Sequence, residues 1–327
     1  MAKLRVHSKG VMQETVRAIR RAKRILVACH VNPDGDTIGC QLALGLSLLQ
    51  MEKKVTLISQ DGVPSRFQFL PGSELIVSES DESVDLAIAV DCGSERQLGR
   101  AHGIFFKAKM TVQIDHHDFG QPFGKIQLLE EEAAAVGEIV YDLIHALKTE
   151  ITPAIATCLL TSIIVDTGSF RFTNIRPKTF DVCSKLIKTG VDLRHLIEES
   201  YWQKSRSSAK LSGYCASKAQ FSRDGKICWS IAQQKDFKRF KAHLSDADTV
   251  ADDLRSIEGV KIAVVFRETE RKSFRVSIRS GDGINVGLIA KRFGGGGHHN
   301  SAGCSIPATE KDKTKFLNAL AELTGSL

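Results

Sequence analysis

Four short runs in the first 115 residues are rich in apolar residues, two of them almost without a break, and read as buried strands: Arg24–His30 (RILVACH), Lys53–Ser59 (KKVTLIS), Val84–Asp91 (VDLAIAVD) and Met110–Asp115 (MTVQID). A strand wetted on one face alternates apolar with polar residues, whereas a run apolar throughout needs cover on both faces. Helical patterns at Thr37–Met51, Ala133–Leu147 and Pro153–Val165 offer that cover, the last with proline in its first turn. Strands alternating with helices predict an α/β domain built on a largely parallel sheet, with Thr179–Thr189 as its closing helix. That domain is expected over residues 1–190. The polar stretch 191–213, which carries Tyr201 and Trp202, reads as a partly helical connector. Beyond it the pattern shifts to short alternating runs at Ala216–Phe221, Lys226–Gln233, Val260–Glu268 and Ser273–Ser280, with helices near Ala247–Ser256 and Lys311–Leu323. A smaller α+β domain is expected over residues 214–327.

The chain has 327 residues, enough for two domains with real cores. No apolar run reaches the roughly 18 residues of a membrane span. The segment Met1–Gly10 lacks the apolar stretch of a signal peptide, so a cytoplasmic protein with no membrane partner is expected. None of the eight cysteines forms a C-x-x-C pair, and most sit in apolar runs, which speaks for reduced packing thiols over a zinc knuckle or disulfide framework. The net charge of +7 is uneven. Residues 1–190 hold 22 basic and 22 acidic side chains, and residues 191–327 hold 23 and 16, so the whole excess lies in the second part. A basic half attracts anionic ligands, although a solvated basic surface has the same composition.

Acidic and imidazole groups gather at the ends of the buried runs. His30-Val31-Asn32-Pro33-Asp34-Gly35-Asp36 follows the first strand, Asp91 ends the third, Asp115-His116-His117 ends the fourth, and Asp166 ends the stretch CLLTSIIVD. One Asp at a strand end is commonly a cap or turn residue. Four such segments are harder to explain one by one, because carboxylates at the ends of buried strands are costly to desolvate unless a cation compensates them. In an open parallel sheet the carboxyl ends of the strands line one crevice. A pool rich in oxygen donors, with a few imidazoles, suits Mn²⁺ or Mg²⁺ better than structural zinc. Two ions about 3.5–4 Å apart need a bridging carboxylate, and Asp91 on a central strand is the natural one.

These motifs, in this order, resemble the four motifs of the DHH phosphoesterase superfamily. The segment Gly294-Gly295-Gly296-Gly297-His298-His299-Asn300-Ser301-Ala302-Gly303 resembles the signature of the DHHA1 domain. The nearest subgroup is the compact NrnA-like oligoribonucleases and 3′-phosphoadenosine 5′-phosphate phosphatases. The resemblance implies a parallel-sheet DHH domain, a helical connector and a DHHA1 domain. It implies two divalent ions, Mn²⁺ before Mg²⁺: one held by His30, Asp34 and Asp91, the other by Asp36, Asp91, His116 and Asp166. His117 would lie beside the metals and touch the scissile phosphate, and Asn32 would support the ligands. Arg279, Gly296, Gly297 and His298 would grip the far end of the substrate. The glycines suit that task on physical grounds too, since successive glycines let backbone N–H groups converge on an anion. The implied activity is hydrolysis of short RNA or DNA oligonucleotides to mononucleotides, or of 3′-phosphoadenosine 5′-phosphate to AMP, by a chain that pairs as a homodimer in many relatives. The alternatives are a cyclic-dinucleotide phosphodiesterase, a non-catalytic nucleotide-binding regulator and an inorganic pyrophosphatase of the related two-metal class. A processive exonuclease on long strands would need an aromatic-lined track, and the chain has only two Trp and three Tyr.

Overall fold

The computed structural model describes residues 2–117, 121–247, 249–281, 283–297 and 299–325. The chain divides into two compact units, Met1–Gln203 and Lys204–Leu327.

The first unit runs α1 (Ala2–Arg21), β1 (Arg24–Cys29), α2 (Gly35–Gln50), β2 (Lys54–Ile58), β3 (Ile76–Val77), β4 (Leu86–Val90), α3 (His102–Lys107), β5 (Met110–Asp115), β6 (Ile126–Leu129), α4 (Val136–Leu147), α5 (Pro153–Asp166), α6 (Pro177–Ile187) and α7 (Leu193–Ile197). Its six strands are ordered β3-β2-β1-β4-β5-β6, and every pairing is parallel. The four apolar runs are therefore the central strands, and Ile25, Leu26, Val27, Ala28, Ile88 and Ala89 are fully buried. The two faces have different cover. One meets α2, α4 and α5, through Ile38, Leu42, Ile139 and Leu159 among others. The other carries a smaller cluster around Leu26, Ala28, Ala89 and Phe105. Register places Ile25 beside Leu86 and Cys29 beside Val90, so β1 and β4 end level with each other. The chain order reverses between these two strands, where a doubly wound sheet opens its crevice.

The second unit runs α8 (Arg206–Ser217), β7 (Gln220–Phe221), β8 (Ile227–Ala232), α9 (Gln234–Phe240), α10 (Val250–Arg255), β9 (Ile262–Glu268), β10 (Ser273–Ser280), α11 (Val286–Arg292), β11 (Gly296–Gly297), β12 (Ser301–Pro307) and α12 (Glu310–Thr324). Its mixed sheet is ordered β11-β12-β10-β9-β8-β7, with β8–β9 the parallel pair. One face packs α11 and α12 through Ile289, Phe316 and Leu320. The other packs α8 and α10 through Leu211, Cys215 and Leu254. The α/β unit followed by a smaller α+β unit matches the expected fold class.

The stretch read as a connector is divided between the units. Leu196 is buried in the first core, and the Tyr201 hydroxyl donates to the Ile164 carbonyl at 3.0 Å. Leu211 and Cys215 belong to the second core. The run Ala216–Phe221, expected as a strand, is helical to Ser217, and only Gln220 and Phe221 pair in the sheet. The four-residue spacing of Leu211 and Cys215 puts both on one helical face, and that burial sets the conformation. All eight cysteines are buried free thiols, and no helix among the described residues is long and apolar enough to cross a membrane.

Candidate metal centre

After β1 the chain passes His30 and turns through Asn32, whose φ of 54° lies in the left-handed region. Asp34 then caps α2, its Oδ1 accepting from the Thr37 backbone N–H at 3.1 Å. Asp36 follows in the first turn, so both carboxylates lie at the positive end of a helix. Asp36 is almost wholly buried and is held from two other helices. It accepts from the Val136 and Gly137 N–H groups opening α4, at 2.9 and 3.3 Å, and from Ser162 Oγ of α5 at 2.5 Å. Close helix approach makes this possible. A Cβ on Gly39 would meet the Cys158 carbonyl oxygen, and one on Gly137 would meet Ser162 Oγ.

Asp91 follows β4 with a φ of 55°, a left-handed conformation that non-glycine residues seldom adopt. Its N–H donates to the Ile114 carbonyl at 2.9 Å, which anchors the turn to β5. Asp91 Oδ2 accepts from Thr37 Oγ1 at 2.6 Å and lies 3.3 Å from His30 Nε2. Its Oδ1 is buried with no hydrogen-bond partner. At the end of β5, Asp115 accepts from His117 Nδ1 at 2.6 Å. His116 Nδ1 donates to the Ala133 carbonyl at 2.8 Å, which leaves Nε2 3.5 Å from Asp166 Oδ2 and 3.7 Å from Asp36 Oδ2. Asp166 is the last residue of α5.

These side chains form three overlapping groups, in each of which one donor atom per residue lies within 4.8 Å of the others: His30, Asp34 and Asp91; Asp91, His116 and His117; and Asp36, His116 and Asp166. Asp91 links the first to the second, and His116 the second to the third. The six residues expected as ligands are thus brought together in one unit, with His117 beside them. Thr37 and Ser162 stand among them, and neither was singled out in the sequence. Thr37 directly follows the second Asp of the first motif, whereas Ser162 sits in an apolar helix without any local signal.

The electrostatics show what such a cluster demands. Burial, with Asp91 and Asp166 nearby, pushes the Asp36 carboxyl well above the usual range. Burial also brings Asp166 to about 7, opposed by His116 and reinforced by Asp34 and Asp91. Burial acts to lower His30, but its hydrogen bond to Asp91 and the charges of Asp91 and Asp34 outweigh this and bring it to about 9. At His116 burial again acts downward, and Asp166, Asp36 and Asp91 carry it to about 10. Asp91 would be raised by burial, yet the His30 hydrogen bond and the charges of all three histidines hold it well below the usual range. In the protein alone, imidazolium protons supply the positive charge that the carboxylates require. A divalent cation supplies the same charge from one point, and the buried Asp91 Oδ1 offers it an unused acceptor. The donor set of carboxylate oxygens and imidazole nitrogens fits Mn²⁺ or Mg²⁺.

In the second unit, the expected substrate grip is arranged differently from an open glycine loop. Gly296 and Gly297 form a two-residue strand on β12, paired with Gly303 and Ala302. Gly297 has a φ of 130°, and a Cβ there would lie 2.5 Å from the Ser301 carbonyl oxygen, so glycine is required. Arg279 in β10 is paired with Asp252 of α10, Nε to Oδ1 at 3.0 Å. His298 lies outside the described residues.

Comparison with known proteins follows this division. The model of the DHH family N-terminal domain matches residues 24–163, and that of the DHHA1 domain matches residues 225–326. The chain is 31% identical over 308 residues to the bifunctional oligoribonuclease and PAP phosphatase NrnA of Thermus thermophilus, covering 91% of this chain and 89% of that one. It is 27% identical to the protein of the same name in Bacillus subtilis, covering 90% and 92%. The fold is also that of an exopolyphosphatase-related protein from Bacteroides fragilis, with a TM-score of 0.88, 23% identity and 96% of each chain covered. Two matched domains in order, with relatives aligned along nearly their whole length, place this chain in the DHH–DHHA1 family.

Proposed function

We propose that this chain is a metal-dependent phosphoesterase that hydrolyses short oligoribonucleotides to mononucleotides and 3′-phosphoadenosine 5′-phosphate to AMP. The observation that carries the reading is the sharing of Asp91: one buried carboxylate belongs both to the group with His30 and Asp34 and to the group with His116 and His117. Relatives named for these two activities match the chain almost end to end, which supports the choice of substrates. Two divalent ions, Mn²⁺ before Mg²⁺, would make hydroxide available at neutral pH and neutralise the phosphate oxygens. His30, Asp34 and Asp91 would hold one, and Asp36, Asp91, His116 and Asp166 the other.

The remaining roles belong to the chain's own groups. His116 Nδ1–H is fixed on the Ala133 carbonyl, so Nε2 is the nitrogen available as a ligand. Asp115 fixes His117 through Nδ1 in the same way, and His117 Nε2 would then face the scissile phosphate. Burial acts to lower the His117 pKa, but the charge and hydrogen bond of Asp115 raise it overall, which favours the protonated ring, whose N–H would donate a hydrogen bond to a phosphate oxygen. Arg279, oriented by Asp252, would pair with a terminal phosphate, together with Gly296, Gly297 and His298.

The test is a hydrolysis panel with Mn²⁺, covering dinucleotides to decanucleotides, 3′-phosphoadenosine 5′-phosphate, a cyclic dinucleotide and pyrophosphate. The short linear oligonucleotides and the bisphosphorylated nucleotide should be turned over fastest, and Asp91→Asn should abolish turnover of both. Preference for pyrophosphate or the cyclic compound, or full activity in Asp91→Asn, would refute the proposal.

A further inference from the structure

Thr37 occupies a place that its residue type does not announce. Its Oγ1 lies 2.5 Å from His30 Nε2, 3.0 Å from Asp34 Oδ1 and 2.6 Å from Asp91 Oδ2. Those are the three residues of one candidate donor group, and the hydroxyl touches all of them. It is held there by position in the helix: Thr37 is wholly buried in the first turn of α2, and its own N–H is fixed on Asp34.

Hydrogen bonding satisfies this arrangement only in part. A hydroxyl has one proton, so it must share that proton between two carboxylate oxygens or leave one of the two contacts without it. A cation resolves the conflict. In octahedral coordination at about 2.1 Å, neighbouring donor atoms are separated by about 3 Å and opposite ones by about 4.2 Å. Thr37 Oγ1 lies 2.5, 2.6 and 3.0 Å from its three partners, at or inside the length of such an edge, and His30 Nε2 to Asp91 Oδ2 is 3.3 Å, close to one. All three partners lie within 4.8 Å of one another, as three positions around a common apex would.

We propose that Thr37 Oγ1 is a fourth protein donor to the ion that His30, Asp34 and Asp91 would hold. This rests on the metal reading of the centre. A neutral hydroxyl adds coordination without a further negative charge, in a pocket where four carboxylates already crowd together. It also ties the ion to the start of α2, so that one helical turn contributes Asp34, Asp36 and Thr37.

The test uses the full-length protein, stripped of metal and titrated with Mn²⁺ by electron paramagnetic resonance and calorimetry. Thr37→Val has nearly the shape of threonine without the oxygen, and Thr37→Ser keeps the oxygen. Wild type should bind two ions. Thr37→Val should weaken one of them by at least about tenfold, the scale seen when metal-site support is removed, and leave the other unchanged. Thr37→Ser should retain both within about twofold of wild type on the same scale. With Co²⁺ in place of Mn²⁺, the visible spectrum should change in the valine variant and not in the serine variant, a difference that a packing role would not produce. Without metal, Thr37→Val loses the hydroxyl's hydrogen bond to Asp91 and should melt below wild type, so affinities are compared at a temperature where every variant is folded. If Thr37→Val binds both ions as tightly as wild type, or more tightly because the hydroxyl only plugs the site, the Thr37 assignment is overturned while the metal centre stands. If wild type itself binds no ion, the metal reading falls and the Thr37 assignment with it.

Discussion

Substituting Gly39 by alanine tests how the fold builds the centre. A Cβ at Gly39 would overlap the Cys158 carbonyl oxygen and lie 3.0 Å from Ser162 N and 3.1 Å from Ser162 Cβ. Two of those atoms are backbone, so no side-chain rotation relieves the contact, and α2 and α5 must separate. Overpacking of this kind costs about 1–3 kcal/mol, and a rigid backbone partner puts it at the upper end. Drawing Ser162 away from Asp36 loses a hydrogen bond to a charged group, about 1.5–3 kcal/mol. Better helix propensity returns about 1 kcal/mol. A net loss of about 4 kcal/mol lowers the melting temperature of a unit of this size by about 8–16 °C. Gly103→Ala is the control. It also sits in a helix, but nothing lies within 4 Å of the new Cβ, so propensity alone acts and stability should rise by up to about 1 kcal/mol. Thermal unfolding followed by circular dichroism reads both. Equal shifts for the two variants, or a melting temperature for Gly39→Ala within about 2 °C of wild type on the same scale, would refute the claim that space at the α2–α5 crossing decides the outcome.

Two further outcomes follow from the site. Asp115→Asn keeps the size of the side chain but removes the charge that fixes His117, so kcat should fall by about 10²-fold or more with Mn²⁺ stoichiometry unchanged; loss of metal instead would make Asp115 a ligand. Because His30 and His116 have pKa values near 9 and 10 in the protein alone, Mn²⁺ binding at pH 7 must expel their protons, and the observed binding enthalpy should vary with the ionisation enthalpy of the buffer. The same raised values stabilise the metal-free fold most fully below the unfolded histidine pKa of about 6.5, and that contribution is lost as pH rises through 9 and 10. Buffer-independent enthalpies or a metal-free stability that grows across this alkaline range would contradict the assignment.

The parts legible in the sequence were those where burial leaves a mark on composition. β1 and β4 are covered on both faces and are unbroken apolar runs, β2 and β5 are apolar runs interrupted by Thr or Gln, and the candidate ligands stand out as the polar residues that end or follow such runs. The edge strands Ile76–Val77 and Ile126–Leu129 escaped notice because two to four residues carry no pattern. β12 carries a signal, with Ala302, Cys304 and Ile306 facing the core in alternation, but its opening residues continue a glycine-rich run that reads as a loop. The start of α1 carries little helical signal in the sequence, since its first residues are largely polar; among the described side chains Val11, Met12, Val16, Ala18 and Ile19 pack toward the core. Thr37 and Ser162 could not be found from spacing alone. A hydroxyl residue within a helix has no composition to distinguish it, and only the crossing of α2, α4 and α5 brings these two to the carboxylates.

The candidate donors begin at His30 and end at Asp166, 136 positions later (166 − 30), and parallel pairing of β1 with β4 already joins residues about sixty apart. Early folding species, rich in local contacts, therefore contain no complete cage, since long-range parallel pairing is slow to form. An ion captured by this centre holds only the finished sheet. In a denaturant-jump experiment Mn²⁺ should leave the refolding rate untouched and slow the unfolding limb, so that loaded protein persists far longer under stress than its equilibrium stability without metal would suggest.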